Sequence, residues 1–290
     1  MNAHAFGRGH LARLLLALTM MAAVLPASAQ PDLAQLLDRN PAALVTVQFV
    51  LQVKISGSLG SIMGEKQEFE SEAVCVMIDP KGLVLCSNTQ IGAYSIVLQR
   101  VMGSMGADTE VSSTPTQIRV LVVGEPQFLN ASLLVRDTEL DLAWLQIESG
   151  GSRPFSYIDF SKGASVGIGT SVFALRRLDS FFDRAPSLLE GRIGGVTSKP
   201  RPLYIPTGSI ETHFGLPVIT RTGEVVGILI LQLPEEGAPR SQGMSMESMS
   251  WASRMQNLSR GVILPAFEVV KATRRATDTL TKSLAKPSFR

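Results

Sequence analysis

The sequence predicts an all-β protein whose many short strands close into a barrel or stack as a sandwich. Three observations carry that reading. Val45, Val47, Phe49, Leu51 and Val53 alternate with other residues, as one face of a strand should. Asp79-Pro80-Lys81-Gly82 separates two apolar runs and has a type I turn composition, with proline second and glycine fourth. Further short apolar runs recur with turns between them, in place of alternating βαβ units.

The chain begins with Arg8 and Arg13, an apolar run from Leu14 to Leu25, and Ala27-Ser28-Ala29. That order is a secretory signal peptide over residues 1–29, with cleavage after Ala29. The run falls short of the roughly 20 apolar residues that a membrane span needs. No cysteine stands at the cleavage site, so a lipid anchor is not expected. The implied product is exported, periplasmic or extracellular, without a stable membrane anchor.

Residues 30–41 carry leucines at 33, 36 and 37, the spacing of a short leading helix or linker. Strands are expected at 45–53, 73–78, 83–86, 117–123, 131–135, 142–147, 171–174, 194–197, 216–219 and 225–231. Residues 92–116, with a helical turn around 96–101, and the methionine-rich 235–257 read as surface loops. Gly261 to Pro265 leads into a helix over 266–280 with basic residues along it, and residues 276–290, with Pro287, read as a tail.

The charge balance of 27 basic against 25 acidic residues becomes 25 against 25 once Arg8 and Arg13 are removed with residues 1–29. A neutral chain lacks the electrostatic footprint of a nucleic-acid binder. With 45% apolar residues, the remaining chain can bury a full core in one large or two small domains. His4 and His10 lie in the leader, so His213 is alone in the mature chain, which excludes a catalytic or zinc cluster of several histidines. No cofactor is implied.

Residues 210–218, Ile-Glu-Thr-His-Phe-Gly-Leu-Pro-Val, followed by Gly223-Glu224-Val225-Val226-Gly227-Ile228, resemble the nucleophile loop of trypsin-like serine proteases of the bacterial Deg/HtrA type. Arg136 to Ile147, Arg-Asp-Thr-Glu-Leu-Asp-Leu-Ala-Trp-Leu-Gln-Ile, is similar to that family's Asp-Leu-Ala-Leu-Leu-Lys-Ile segment, and Val76 to Leu85 to the strand and turn before its catalytic histidine. Val172 to Leu175, Gly191 to Ser198 and Gly261 to Pro265 match further pieces in the right order. The resemblance spans residues 42–275. It implies a chymotrypsin-like double β-barrel, with barrels near 42–150 and 151–265 and a closing helix, and no appended peptide-binding domain after residue 275.

The same resemblance implies a degenerate triad. Asp141 falls where the aspartate that orients the histidine belongs, Thr89 where the general base belongs, and Phe214 where the nucleophile belongs. A phenyl ring cannot attack a carbonyl, and a threonine hydroxyl cannot take up a proton near neutral pH. Thr212 and Leu216 replace glycines of the oxyanion loop. The expected role is therefore protein or peptide binding by an inactive protease homologue. An alternative is a hydrolase with a relocated serine or threonine nucleophile.

Each residue also has a plainer role. Asp141 is a turn or cap residue, with the Thr89 hydroxyl as its partner if buried. His213 is a polar side chain on a surface loop or, paired with Glu211, an acid or base. Phe214 and Leu216 fill the core or present an apolar contact. If Ile78 pairs with Leu83, Cys75 faces Cys86 across the ladder, which suits a disulfide, with two buried thiols as the other outcome. Met244, Met246 and Met249, near Trp251 and Met255, form either an adaptable apolar loop or a soft Cu(I) site.

Overall fold

The computed structural model describes residues 33, 36–37, 41–57, 60–61, 64–93, 95, 110–148, 154–232 and 260–284. The expected leader, the helical turn near residue 96, the methionine segment and Pro287 lie outside them. The first sheet comprises β1 (Leu44–Ile55), β2 (Lys66–Met77), β3 (Leu83–Ser87), β4 (Val111–Leu121), β5 (Leu129–Asp137) and β6 (Leu142–Ile147), closed in the order β1-β2-β3-β6-β5-β4. The second comprises β7 (Ser171–Arg177), β8 (Pro186–Thr197), β9 (Leu203–Gly208), β10 (Pro217–Thr220), β11 (Val225–Gln232) and β12 (Arg260–Pro265). It closes as β7-β8-β9-β12-β11-β10, the same order shifted by six. Two antiparallel six-stranded barrels of matching topology define the chymotrypsin-like double barrel.

The side-chain alternation of the strands builds three cores from one sequence pattern. Val45, Val47, Cys75, Met77, Val84, Cys86, Ala143 and Leu145 fill the first barrel. Their neighbours Leu44, Val76, Leu85, Leu142 and Trp144 point outward and meet Phe173, Leu175, Ile219, Ile228 and Leu264 of the second barrel. This seam explains why Leu142-Ala143-Trp144-Leu145 is apolar on both faces. Burying each large side chain contributes about 1.5–3 kcal/mol. Leu36 and helix α1 (Ala266–Leu284) close the seam, and Trp144 Nε1 donates to Thr273 Oγ1 at 3.1 Å.

The turn between β2 and β3 forms as its composition predicts. The Gly82 N–H donates to the Asp79 carbonyl at 3.2 Å, the Lys81 N–H to Asp79 Oδ1 at 2.6 Å, and Gly82 has φ +94°. Val76 pairs with Leu85 and Met77 with Val84, which sets Cys75 opposite Cys86. The two are joined as a disulfide, with Cα atoms 4.7 Å apart, fully inside the first barrel.

Four elements differ most from the sequence reading. β4 begins at Val111, inside the stretch read as a loop. β8 starts at Pro186, and β9 is absent from the expected strands, because glycines and Pro206 obscure the alternation there. Those glycines have a packing reason: a Cβ on Gly191 would meet Ile210 Cδ1 at 2.6 Å and the Thr207 carbonyl at 2.8 Å. Helix α1 runs to Leu284, eight residues past the point where a tail was read. Ala266, Val269, Ala272 and Ala276 bury one stripe, and no proline or glycine interrupts the chain before Pro287.

Candidate functional site

Asp141 occupies the turn between β5 and β6 in a left-handed conformation, φ +53°, which aspartate tolerates better than most residues. It is 4% exposed. Oδ2 accepts the Ser87 hydroxyl at 2.8 Å and the Leu231 N–H at 2.9 Å, and Oδ1 accepts the Thr89 N–H at 2.7 Å. The Thr89 hydroxyl is a fourth donor, and the Asp141 carbonyl accepts the Asn88 N–H at 2.9 Å. Because Leu231 belongs to β11, this one carboxylate ties the barrels together. Loss of water pushes its pKa upward, against the pull of the four donors.

The facing loop is built differently. Ser209–Thr212 form a single 3₁₀ turn after Gly208, which has φ +98°. Glu211 Oε1 accepts the Gly208 N–H at 2.7 Å, so Glu211 caps its own turn and is not the partner of His213. The His213 ring has Nδ1 3.1 Å from the Ser209 carbonyl and Nε2 3.3 Å from Arg176 Nη1. A carbonyl only accepts, so Nδ1 carries the proton and Nε2 presents its lone pair to the guanidinium. Burial first, and the Arg176 charge second, hold its pKa below the ordinary 6.5, with the Ser209 carbonyl opposing. Both ring nitrogens are engaged, and among the described residues no carboxylate bonds the ring.

Phe214 is half-buried and belongs to none of the three cores. Its ring faces the start of β12, where a Cβ on Gly261 would lie 3.4 Å from Phe214 Cε1 and would collide with the Glu211 carbonyl. Thus the loop rests directly on β12, and Phe214 covers that contact instead of filling a barrel. Leu216, in contrast, is 4% exposed within the second barrel, and its carbonyl accepts the Leu229 N–H at 2.9 Å.

Gly215 brings the two halves together. With φ +74°, it donates its N–H to the Leu229 carbonyl at 2.7 Å, and a Cβ there would stand 3.0 Å from Gln90 Oε1 and 3.2 Å from the Ser87 nitrogen. The turn bearing Thr89, the carboxylate of Asp141 and the loop bearing Phe214 therefore meet at the seam. Ser87 and Arg176 also belong to this constellation, and the sequence reading did not select them. A lone hydroxyl ending the apolar run of β3 was the available signal for Ser87. Among the described residues, no group of three or more His, Cys, Asp or Glu side chains gathers as a metal site, and no helix is long and apolar enough to cross a membrane.

No protein-family model matches the sequence, and no curated protein matches it. In structure, the chain is similar to the protease domain of MamO from Magnetospirillum magneticum in its apo form. The two are 17% identical, with a TM-score of 0.44, over 81% of this chain and 97% of that one. The fold assignment given above rests on barrel closure and strand order.

Proposed function

We propose that this protein is an exported, catalytically inactive homologue of trypsin-like proteases that binds a protein or peptide along the seam between its barrels. The observation that carries this reading is the occupancy of Asp141. Its oxygens receive the hydroxyl and N–H of Thr89, where an orienting aspartate would receive the N–H of a histidine. The rest of the site agrees with it. Phe214 supplies no nucleophile, and the 3₁₀ turn through Thr212 replaces the glycine conformation that an oxyanion loop exploits.

A relocated nucleophile is the competing reading, and the Ser87 and Thr89 hydroxyls are the ones bonded to Asp141. Ser87 is fully buried, however, and a covalent mechanism requires the oxygen to reach a carbonyl. Treatment of the purified protein with a fluorophosphonate probe, followed by mass spectrometric mapping, separates the readings. The expected result is no adduct, whereas a stoichiometric adduct on one serine or threonine would overturn the inactive reading.

A further inference from the structure

The β7–β8 connection holds two aromatic rings out in solvent. Phe181 is 87% exposed and Phe182 54%, and they pack edge to face with centroids 5.0 Å apart. The segment beneath them is firmly built. Asp179 Oδ1 accepts the Phe181 N–H at 3.0 Å, and the Asp179 carbonyl accepts the N–H groups of Phe182 at 3.2 Å and Arg184 at 3.0 Å. Asp183 and Arg184 are left-handed, at φ +54° and +49°, a conformation that most non-glycine residues avoid. Hydrogen bonds thus fix the display of apolar surface that a lone domain gains nothing by exposing.

The tip is also anchored to the first barrel. Arg184 Nη2 pairs with Glu72 Oε1 at 2.7 Å, on the outer face of β2. Strand alternation puts Glu68 and Glu70 on that same face, with Gln52 Nε2 donating to Glu68 at 2.9 Å and Val50 opposite Glu70. Glu68 and Glu70 form no ion pair among the described residues. Asp179, Asp183 and Glu72 thus lie at the tip and Glu68 and Glu70 further along the same face of β2, five carboxylates against Arg184 and Arg177, whose Nη1 donates to the Arg184 carbonyl at 3.0 Å.

We propose that Phe181 and Phe182, with Glu68 and Glu70, form a docking surface for a protein segment that presents apolar side chains flanked by lysine or arginine. Charge selects this occupant. An anionic lipid surface would be repelled by the carboxylates, and a two-fold contact with a second copy would set identical acidic faces against each other. A basic, apolar segment buries the rings, places cations over their faces and pairs the two glutamates. This surface lies apart from Asp141 and does not depend on the reading of the seam.

The test uses the whole protein and a short labelled peptide alternating lysine and leucine, followed by fluorescence anisotropy. A peptide with glutamate in place of lysine, phosphatidylglycerol vesicles and sedimentation velocity cover the other occupants. The lysine peptide is expected to bind, more weakly at high salt, and the glutamate peptide is not. F181S/F182S is expected to weaken binding by about tenfold or more, and E68Q/E70Q by a smaller factor. Should F181S/F182S lose the wild-type unfolding midpoint, the exposed charge reversal E70K decides in its place. Unchanged affinity in these variants, absence of lysine-peptide binding, preference for the vesicles, or self-association that F181S/F182S abolishes would each overturn the proposal.

Discussion

The two sides of the seam are closed by different physics. On the first barrel, β3 leaves the Cys75–Cys86 disulfide at Ser87, and the turn that follows is held by hydrogen bonds converging on one buried carboxylate. On the second barrel, the 209–215 loop adds to its local hydrogen bonds, Gly208 to Glu211 and Gly215 to Leu229, the packing of Phe214 against β12 and of the following Leu216 inside the core. The polar side is all-or-none, since one missing acceptor strands several donors at once. The apolar side is graded, because its loss scales with the surface uncovered. Both halves of the seam are thus stabilised, each by a different balance of contacts.

Mutations can break that comparison. Asp141→Ala leaves the Ser87 hydroxyl and the Thr89 and Leu231 N–H groups without their acceptor, and unfolding in urea should show a loss of about 3 kcal/mol or more. Phe214→Ala, at a half-buried ring, should cost about 1–2 kcal/mol in the same assay. Equal losses would show that the two sides are not held differently.

A smaller effect concerns pH. The folded state holds the His213 pKa below its ordinary 6.5, so the unfolded chain takes up a proton first as pH falls. His213 thereby contributes stability that is fully present above pH 6.5 and declines below it. In His213→Gln, this part of the decline should vanish, as read from denaturant midpoints across that range. An unchanged pH profile would mean that neither burial nor the Arg176 charge depresses the ring's pKa.

The smallest expected change is in catalysis. T89H/F214S puts a base and a nucleophile at the two positions that the proposed homology implies, yet Thr212 still lies in the 3₁₀ turn and Leu216 still anchors the loop in the core. We expect no fluorophosphonate adduct from this double variant. Labelling of Ser at position 214 would show that the loop is already arranged for chemistry and that only the two side chains were missing.

Much of the architecture was legible locally. Asp79-Pro80-Lys81-Gly82 specified a turn, the turn specified the hairpin register, and the register put Cys75 opposite Cys86. The alternation of β1 was equally plain, because one face of that strand fills a barrel. β9 was not legible, since Pro206 and the glycines of β8 lower strand propensity while serving a close approach between strands that no local window contains. Of the site, the positions 89, 141 and 214 followed from resemblance. The Ser87 and Leu231 contacts to Asp141 did not, because they join residues 54 and 90 positions apart.

The sequence by itself determined which groups exist: at the seam one aspartate, no histidine at 89 and no hydroxyl at 214, and away from it two phenylalanines at 181 and 182. These are facts of composition and order, and chemistry follows from them without a fold. Only the tertiary structure decided what those groups touch. It spent the Asp141 oxygens on donors from both barrels, turned Phe214 toward β12, and set the aromatic tip beside the glutamates of β2. Partnership of this kind arises when closure of two barrels brings distant strands together, and local propensity carries no record of that closure.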